Sequence, residues 1–391
     1  MKHIQREQFI WEFNRIGKIP TIYKFINFNT KTYINKDNSI NSNTSKVITT
    51  SLIPTFLSTY IYNEDQYKVK KIIHKNYSGA GIALEHPETI EGFMNNHLKP
   101  QIKKNLRRTI SRLEESFNIT YKYYYGSITK EEFDFLLNTL KGFLTKRFNQ
   151  KKILNHFLNE WNKNIDGLFE LINQKKASFI VVYDNHKPIS ISLNRHIEKS
   201  ILHSECNGYD LDYSKFGLGH LDNYLVLKWC IENKFDFLDL GIGVLEYKQK
   251  WCNTYYDFEY HVYSQKNSII ANIIAFKEIN KIKAKNLLKQ LKIDVYLKRL
   301  KSVLRKKEIN NDIFGISYIL EELESLNDYE SDNLKKLNID LPETEGIRQS
   351  IYDYLYTNKG HIDNIEIYKI STELNTYVFK AENTIIKITL N

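Results

Sequence analysis

Cysteine is scarce in this chain: Cys206, Cys230 and Cys252 are the only three in 391 residues. An odd count without a C-x-x-C spacing excludes a disulfide framework and a zinc site, and it fits a reducing compartment. Proline and glycine are sparse too, six and fifteen residues, while Tyr, Lys, Ile and Asn abound. Much of that bias reads as A·T-rich codon usage and not as function. No apolar run approaches the length that spans a bilayer, residues 269–276 falling far short. The opening Met1-Lys-His-Ile-Gln-Arg-Glu-Gln lacks the apolar core of a secretory signal, so the expectation is a soluble cytoplasmic protein. What is present makes a folded chain. Hydrophobic residues at 42% and aromatics at 13% exclude disorder, and the length allows two or three domains.

The formal net charge of +10 is unevenly placed. Residues 281–307 hold eleven Lys/Arg against one acid, Asp294, whereas residues 308–391 hold sixteen Asp/Glu against seven Lys/Arg. A basic stretch of this kind suits nucleic acid or an anionic lipid surface. The acidic tail competes for the same role, but screening limits that attraction to direct docking, within about 8 Å at physiological salt.

Periodicity organises the chain. Residues 1–75 predict short strands, 21–28 and 31–35 alternating around a polar loop at 36–45. Residues 80–85 predict a strand feeding a helix. Residues 100–117 predict a basic helix with Ile102, Leu106, Ile110 and Leu113 on one face, and 119–125 a strand. Thr129 and Glu132 have capping-box spacing and open another helix, with helical spacing again over 150–175. Strands at 177–183, 189–195 and 200–207 are joined by hairpin-length connectors. A glycine loop, a helix over 221–233, and strands at 235–240 and 255–263 follow. Residues 265–309 predict a long basic helical segment with Leu287, Leu288, Leu291, Val295, Leu300, Val303 and Leu304 in one stripe. Beyond 313, helices at 313–326 and 345–356 and strands at 365–370, 376–381 and 384–389 predict a small α+β unit. The fold class is α/β in layers: a mixed, mostly antiparallel sheet flanked by helices. The expected regions are 1–79, 80–264, 265–310 and 311–391.

The loop from Tyr213 reads Tyr-Ser-Lys-Phe-Gly-Leu-Gly-His220 and runs directly into a helix. Gly217 and Gly219 lack a Cβ, so their amides can approach a ligand closely. A helix start adds unpaired N–H groups and partial positive charge, which favours phosphate, and Lys215 adds a full charge. The pattern suits a pyrophosphate cradle, although a tight loop feeding a helix also uses glycine for steric reasons alone.

With the strands in this order, residues 80–263 resemble the GNAT superfamily of acyl-CoA transferases. They look nearest to its cellulose-biosynthesis-type acetyltransferases, which are related to Fem-type aminoacyltransferases. The features behind the resemblance are the basic helix around Lys103 to Arg108 with Leu113 and Glu114, the loop from Tyr213 to Gly219, and Phe237-Leu-Asp239, Gly243, Glu246-Tyr247-Lys248 and Trp251. In one respect the chain departs from the superfamily: Ser214 stands where a Gln or Arg usually precedes the first loop glycine. The resemblance implies a GNAT-like sheet and acetyl-CoA or another acyl-CoA as co-substrate, with no metal. It also implies that residues 200–207 splay from a neighbour to offer amides to the thioester carbonyl. Ser214, Lys215, Phe216, Gly217, Leu218, Gly219 and His220 would form the coenzyme loop.

Acyl transfer to an amine needs the thioester held, its carbonyl polarised, the amine deprotonated and the leaving thiolate protonated. Tyr247 is the candidate proton donor to sulfur, since a phenol keeps its proton at neutral pH. His203 and Glu205 share a strand face, and either could take the proton from the amine. Asp239 ends its strand, where it would act in catalysis, cap a turn or fix Lys248. Lys248 would pair with Asp239 or, with Gly243, meet the substrate. Trp251 is expected in the core. The cysteines lack an activating base, which argues against covalent catalysis. The expected acceptor is a small amine, by analogy an amino sugar of surface polysaccharide assembly. Two alternatives remain open: a Fem-like transferase using charged tRNA, and a non-catalytic protein docking on a membrane surface or partner through residues 281–307.

Overall fold

A computed structural model describes residues 4–36, 45–86, 89–198, 200–291, 318–326, 329, 333–382 and 384–390. In chain order, β1 (Ile4–Gln8) leads into α1 (Phe9–Ile16), then β2 (Tyr23–Phe28), β3 (Lys31–Ile34), β4 (Val47–Pro54), β5 (Ser58–Ile61) and β6 (Tyr67–Ala83). The helices α2 (Ile90–His97) and α3 (Pro100–Ser116) precede β7 (Ile119–Tyr124) and α4 (Lys130–Gln150). Three short helices follow, α5 (His156–Asn159), α6 (Trp161–Ile165) and α7 (Leu168–Asn173). Next come β8 (Ala177–Asp184), β9 (Lys187–Ile197), β10 (Ile201–Tyr209), a 3-10 segment (Leu211–Phe216) and α8 (Leu218–Glu232). Then β11 (Phe237–Ile242), α9 (Glu246–Gln249), β12 (Thr254–Gln265) and α10 (Ile269–Gln290). The C-terminal elements are β13 (Tyr318–Leu323), β14 (Leu334–Leu337), α11 (Arg348–Asn358), β15 (Glu366–Ile370), β16 (Thr376–Ala381) and β17 (Thr384–Leu390).

The chain divides into two compact units. The first comprises Met1–Leu98, Arg195–Glu205 and Lys228–Asn310. Its strands run in the order β1-β4-β12-β6-β11-β10. The two end pairs, β1 with β4 and β11 with β10, are parallel, and the interior pairs are antiparallel. A three-stranded sheet, β3-β2-β5, and α1 add the aromatic core of Phe9, Phe13, Tyr23, Phe237, Tyr256 and Phe258, all buried. Two glycines on β6 make that core fit. A Cβ at Gly79 would stand 2.2 Å from the Tyr256 ring, and one at Gly81 would stand 2.3 Å from the Phe237 ring. The bare backbone of β6 is the floor on which both rings lie.

The second unit comprises Lys99–Asn194, Cys206–Leu227 and Asn311–Asn391. Its strand order is β10-β9-β8-β7, so β9 and β10 contribute residues to both units. On β9 the alternation is plain: Ile191 and Leu193 join Phe133, Leu136 and Leu140 of α4 in one apolar cluster, while Ser192 and Asn194 hydrogen-bond each other. The capping box that opens α4 is formed as its spacing predicts: Thr129 Oγ1 accepts from Glu132 N, and the Glu132 side chain accepts from Thr129 N. The C-terminal sheet, β13-β17-β16-β15-β14, is antiparallel throughout.

The mixed, mostly antiparallel sheet flanked by helices agrees with the expected fold class. Three local expectations change. Residues 318–323 form β13, not part of a helix over 313–326, because each of them finds a partner on β17. The strand expected over residues 80–85 is the end of the seventeen-residue β6, which stops at Ala83. The helix α1, closed by Gly17 in the left-handed region, has no counterpart in the sequence reading. Of the basic segment, α10 is described; Val295, Leu300, Val303 and Leu304 lie outside the described residues. Among the described residues no helix is long and apolar enough to cross a membrane.

Candidate active site

In the first unit, the parallel strands β10 and β11 pair over only three rungs: Ile201 with Phe237, Leu202 with Leu238, and His203 with Asp239. Beyond that last rung, β11 shifts register against β6 between Asp239 and Ile242. Gly241, at φ +72°, takes the positive backbone angle that the shift needs. A Cβ on Gly241 would lie 3.2 Å from His203 Cε1, so the turn also leaves room for the imidazole.

Side chains converge on the same rung. His203 Nδ1 lies 2.8 Å from Asp239 Oδ2. Asp239 Oδ1 accepts from the Gly241 amide at 2.8 Å and from the Tyr256 hydroxyl. Tyr256 sits on β12 opposite Gly79 and reaches across β6 because Gly79 has no side chain. Burial alone would push the Asp239 carboxyl up, since the side chain is 2% exposed. The His203 charge and the hydrogen bonds from His203, Tyr256 and Gly241 outweigh burial and hold the carboxyl below its ordinary range. A carboxylate with three donors around it is a fixed anchor for one imidazole nitrogen. His203, 15% exposed, keeps its other nitrogen for a further partner.

Lys248, on α9, is buried, and its ammonium donates to the carbonyls of Gly241 and Ile242, at 3.2 and 2.9 Å. Burial lowers its pKa against the opposing pull of Asp239 and Cys252. Lys248 therefore ties down the turn that follows Asp239. Tyr247, its neighbour, is 41% exposed, Gly243 holds φ +94°, and Trp251 is buried as expected. Glu205 is already committed: its Oε2 accepts from Arg195 Nε at 2.5 Å, with side chains 5% and 1% exposed. Burial pushes the Cys252 thiol up to about 12 and raises Cys230 as well, which keeps both protonated and poor nucleophiles. Among the described residues no group of three His, Cys, Asp or Glu is placed to hold a metal ion.

In the second unit, the 3-10 segment ends at Gly217, in the left-handed region at φ 60°. The His220 amide turns back to Gly217 O at 2.8 Å, closing the first turn of α8. The amides of Leu218 and Gly219 precede that bond, as the leading amides of a helix do. A Cβ at Gly219 would meet the Tyr209 ring edge at 3.8 Å, an ordinary contact distance. The loop's own side chains are engaged by α11. Ser214 Oγ accepts from Gln349, and Lys215 Nζ donates to Asp353 O and Thr357 Oγ1, at 3.3 and 3.1 Å. Tyr352 packs against both Phe117 and Tyr213, with ring centroids 4.9 and 4.6 Å away, and those two rings touch each other. The Arg147 guanidinium of α4 lies 4.8 Å from the centroid of that same Tyr209 ring.

The structure thus joins His203 to Asp239, gives Glu205 and Lys248 partners of their own, and sets the glycine loop in the other unit from Tyr247. The sequence reading missed Tyr256, Arg195 and Arg147. The signal for Tyr256 was Gly79-Ala-Gly81, since glycines inside a strand mark a close approach. Arg195 and Arg147 carried no such mark.

Comparison with known proteins bears on this geometry. The sequence profile described as an acetyltransferase (GNAT) domain matches residues 100–249. Residues 100–249 are thus similar to an acetyltransferase (GNAT) domain. No curated protein sequence matches. Solved structures give distant likenesses. A conserved protein of unknown function from Bacteroides thetaiotaomicron VPI-5482 is 12% identical over 56% of this chain and 70% of its own, with a TM-score of 0.38. FemX is 10% identical over 56% and 73%, with a TM-score of 0.40. The C-terminal domain of a putative lysylphosphatidylglycerol synthetase from Agrobacterium fabrum is 10% identical over 61% and 73%, with a TM-score of 0.37.

Proposed function

We propose that this protein is an acyl-CoA-dependent N-acyltransferase of the cellulose-biosynthesis-type branch, transferring an acetyl group to the amine of an amino sugar. The observation that carries the proposal is the His203–Asp239 contact, made where β10 and β11 stop pairing. Asp239 accepts the Nδ1 proton of His203 and so fixes the tautomer whose Nε2 lone pair is available. His203 Nε2 takes a proton from the acceptor amine as its nitrogen bonds to the acyl carbon. The carbon–sulfur bond breaks, and Tyr247 gives its phenolic proton to the leaving sulfur. Backbone amides of β10 beyond His203 are assigned to the acyl oxygen. The amides of Leu218 and Gly219, with Arg147, are assigned to the diphosphate. The coenzyme supplies an activated acyl group, and this chain supplies orientation and two proton-transfer groups.

Isothermal titration of the full chain with acetyl-CoA, followed by thiol-release assays over a panel of amino sugars, tests this. Saturable binding and thiol release dependent on an amine support it. Folded protein that binds no acetyl-CoA up to millimolar ligand overturns it, as does acyl transfer only from charged tRNA.

A further inference from the structure

We propose that the outward face of α10 docks on an anionic lipid surface. α10 carries two apolar faces, and among the described residues one of them packs in a core cluster. On the inner face Ala271, Ala275 and Ile282 pack with Val47 and Val262. Asn286 pins the helix to β6, accepting from Lys75 N at 3.2 Å and donating to Ile73 O at 2.8 Å. On the opposite side Ile269, Ile273, Phe276, Leu287 and Leu291 fall on one stripe, since their spacing follows the helical repeat. They are 78%, 51%, 67%, 55% and 57% exposed. A helix at the edge of a core needs one apolar stripe; a second one facing water marks a contact surface.

The charges around that stripe select the occupant. Lys277, Lys281 and Lys285 run beside it, Lys283 stands in the stripe between Phe276 and Leu287, and all four are exposed. Glu278, the one acid on α10, is 15% exposed and its charge is taken up by Arg6 at 2.5 Å. The outward face therefore has one sign of charge. A second copy of the face would set lysine against lysine, and residues 292–307 of the same chain are themselves basic. An anionic bilayer meets both demands. The aliphatic and Phe side chains enter the boundary between headgroups and acyl chains, and the lysine stems lie along it with their ammoniums at the phosphates.

Co-sedimentation of the full chain with vesicles of phosphatidylcholine, with and without phosphatidylglycerol, tests the proposal independently of catalysis. The expected result is partition onto the phosphatidylglycerol vesicles alone, weakening steeply with salt. Each Lys→Gln change among the four lysines should reduce the partition coefficient about fivefold. The double variant Ile273→Ser, Phe276→Ser should lower it by more than about tenfold with an unchanged melting temperature, because both side chains are exposed. Equal partition onto neutral vesicles overturns the proposal, as does no binding to either kind. So does wild-type protein that sediments as a dimer which the double variant dissolves, since that result assigns the face to a second copy.

Discussion

Asp239 and His203 face each other on the last parallel rung of β10 and β11, and their side chains meet there through Oδ2 and Nδ1 at 2.8 Å. The imidazole's direction is therefore set by the sheet as well as by the carboxylate. If His203 is the base, His203→Ala should reduce kcat/KM by about 10²- to 10⁴-fold while the protein stays folded. A loss of less than about threefold at saturating acetyl-CoA would remove His203 from the mechanism.

Tyr256→Phe deletes one donor to Asp239 and nothing else of comparable size. The Asp239 carboxyl, held below its ordinary range, contributes stability that is present above its unfolded pKa. That contribution is lost as pH falls through the folded value. Without Tyr256 the contribution shrinks, so acid unfolding should begin at higher pH, and neutral stability should drop by about 1–2 kcal/mol. Urea unfolding over a pH series reads both effects, and identical acid limbs for the two proteins would refute the assignment.

Glu205→Gln separates the two carboxylate readings. Breaking a buried ion pair costs about 3–5 kcal/mol, because the remaining charge stays desolvated. The variant should melt early yet keep a kcat within about threefold of wild type per folded molecule. A large loss of kcat with an unchanged melting temperature would return Glu205 to the reaction.

Arg147→Met should raise the Kd for acetyl-CoA by about tenfold, the worth of one charge-assisted hydrogen bond to phosphate. The same change should leave the affinity for a truncated thioester lacking the nucleotide unaltered. Titration calorimetry with both ligands decides it, and equal losses would mark a general unfolding of the loop.

Burial pushes the Asp222 carboxyl, in the first turns of α8, up to about 7, against weaker opposing bonds from Ser192 and Asn207. A folded pKa above the unfolded one gives stability that is complete below the unfolded value and is lost as pH rises through the folded one. Relative to Asp222→Asn, wild type should therefore lose about 1.4 kcal/mol per pH unit across that window, then level off. Parallel curves at all pH values would show that Asp222 does not titrate there.

Much of the architecture was legible because local rules and tertiary pairing agree. The capping box at Thr129 and the strand over 189–195 are short-range patterns, and the structure contains both. The helix assigned to residues 313–326 shows the opposite case. Over Tyr318–Leu323 the apolar spacing is compatible with either period, and the partner strand β17 lies more than sixty residues away in sequence. The site divides in the same way. Asp239 and His203 stood out one by one, but their meeting depends on the register between strands 36 residues apart. The Arg195–Glu205 pair was hidden because its members stand on different strands, and Glu205 read as a candidate base gave no sign of a buried ionic partner.

The clasp of α11 on the 3-10 segment bears on how this protein can be handled. Tyr352 covers the touching rings of Phe117 and Tyr213, and Arg348 lies 4.0 Å from Asp212. A shortened chain ending before β13 would leave two aromatic rings facing solvent and release Lys215 from both of its anchors. The acidic C-terminal residues are thus a structural brace of the loop, and trimming them to obtain a minimal transferase would yield a damaged one.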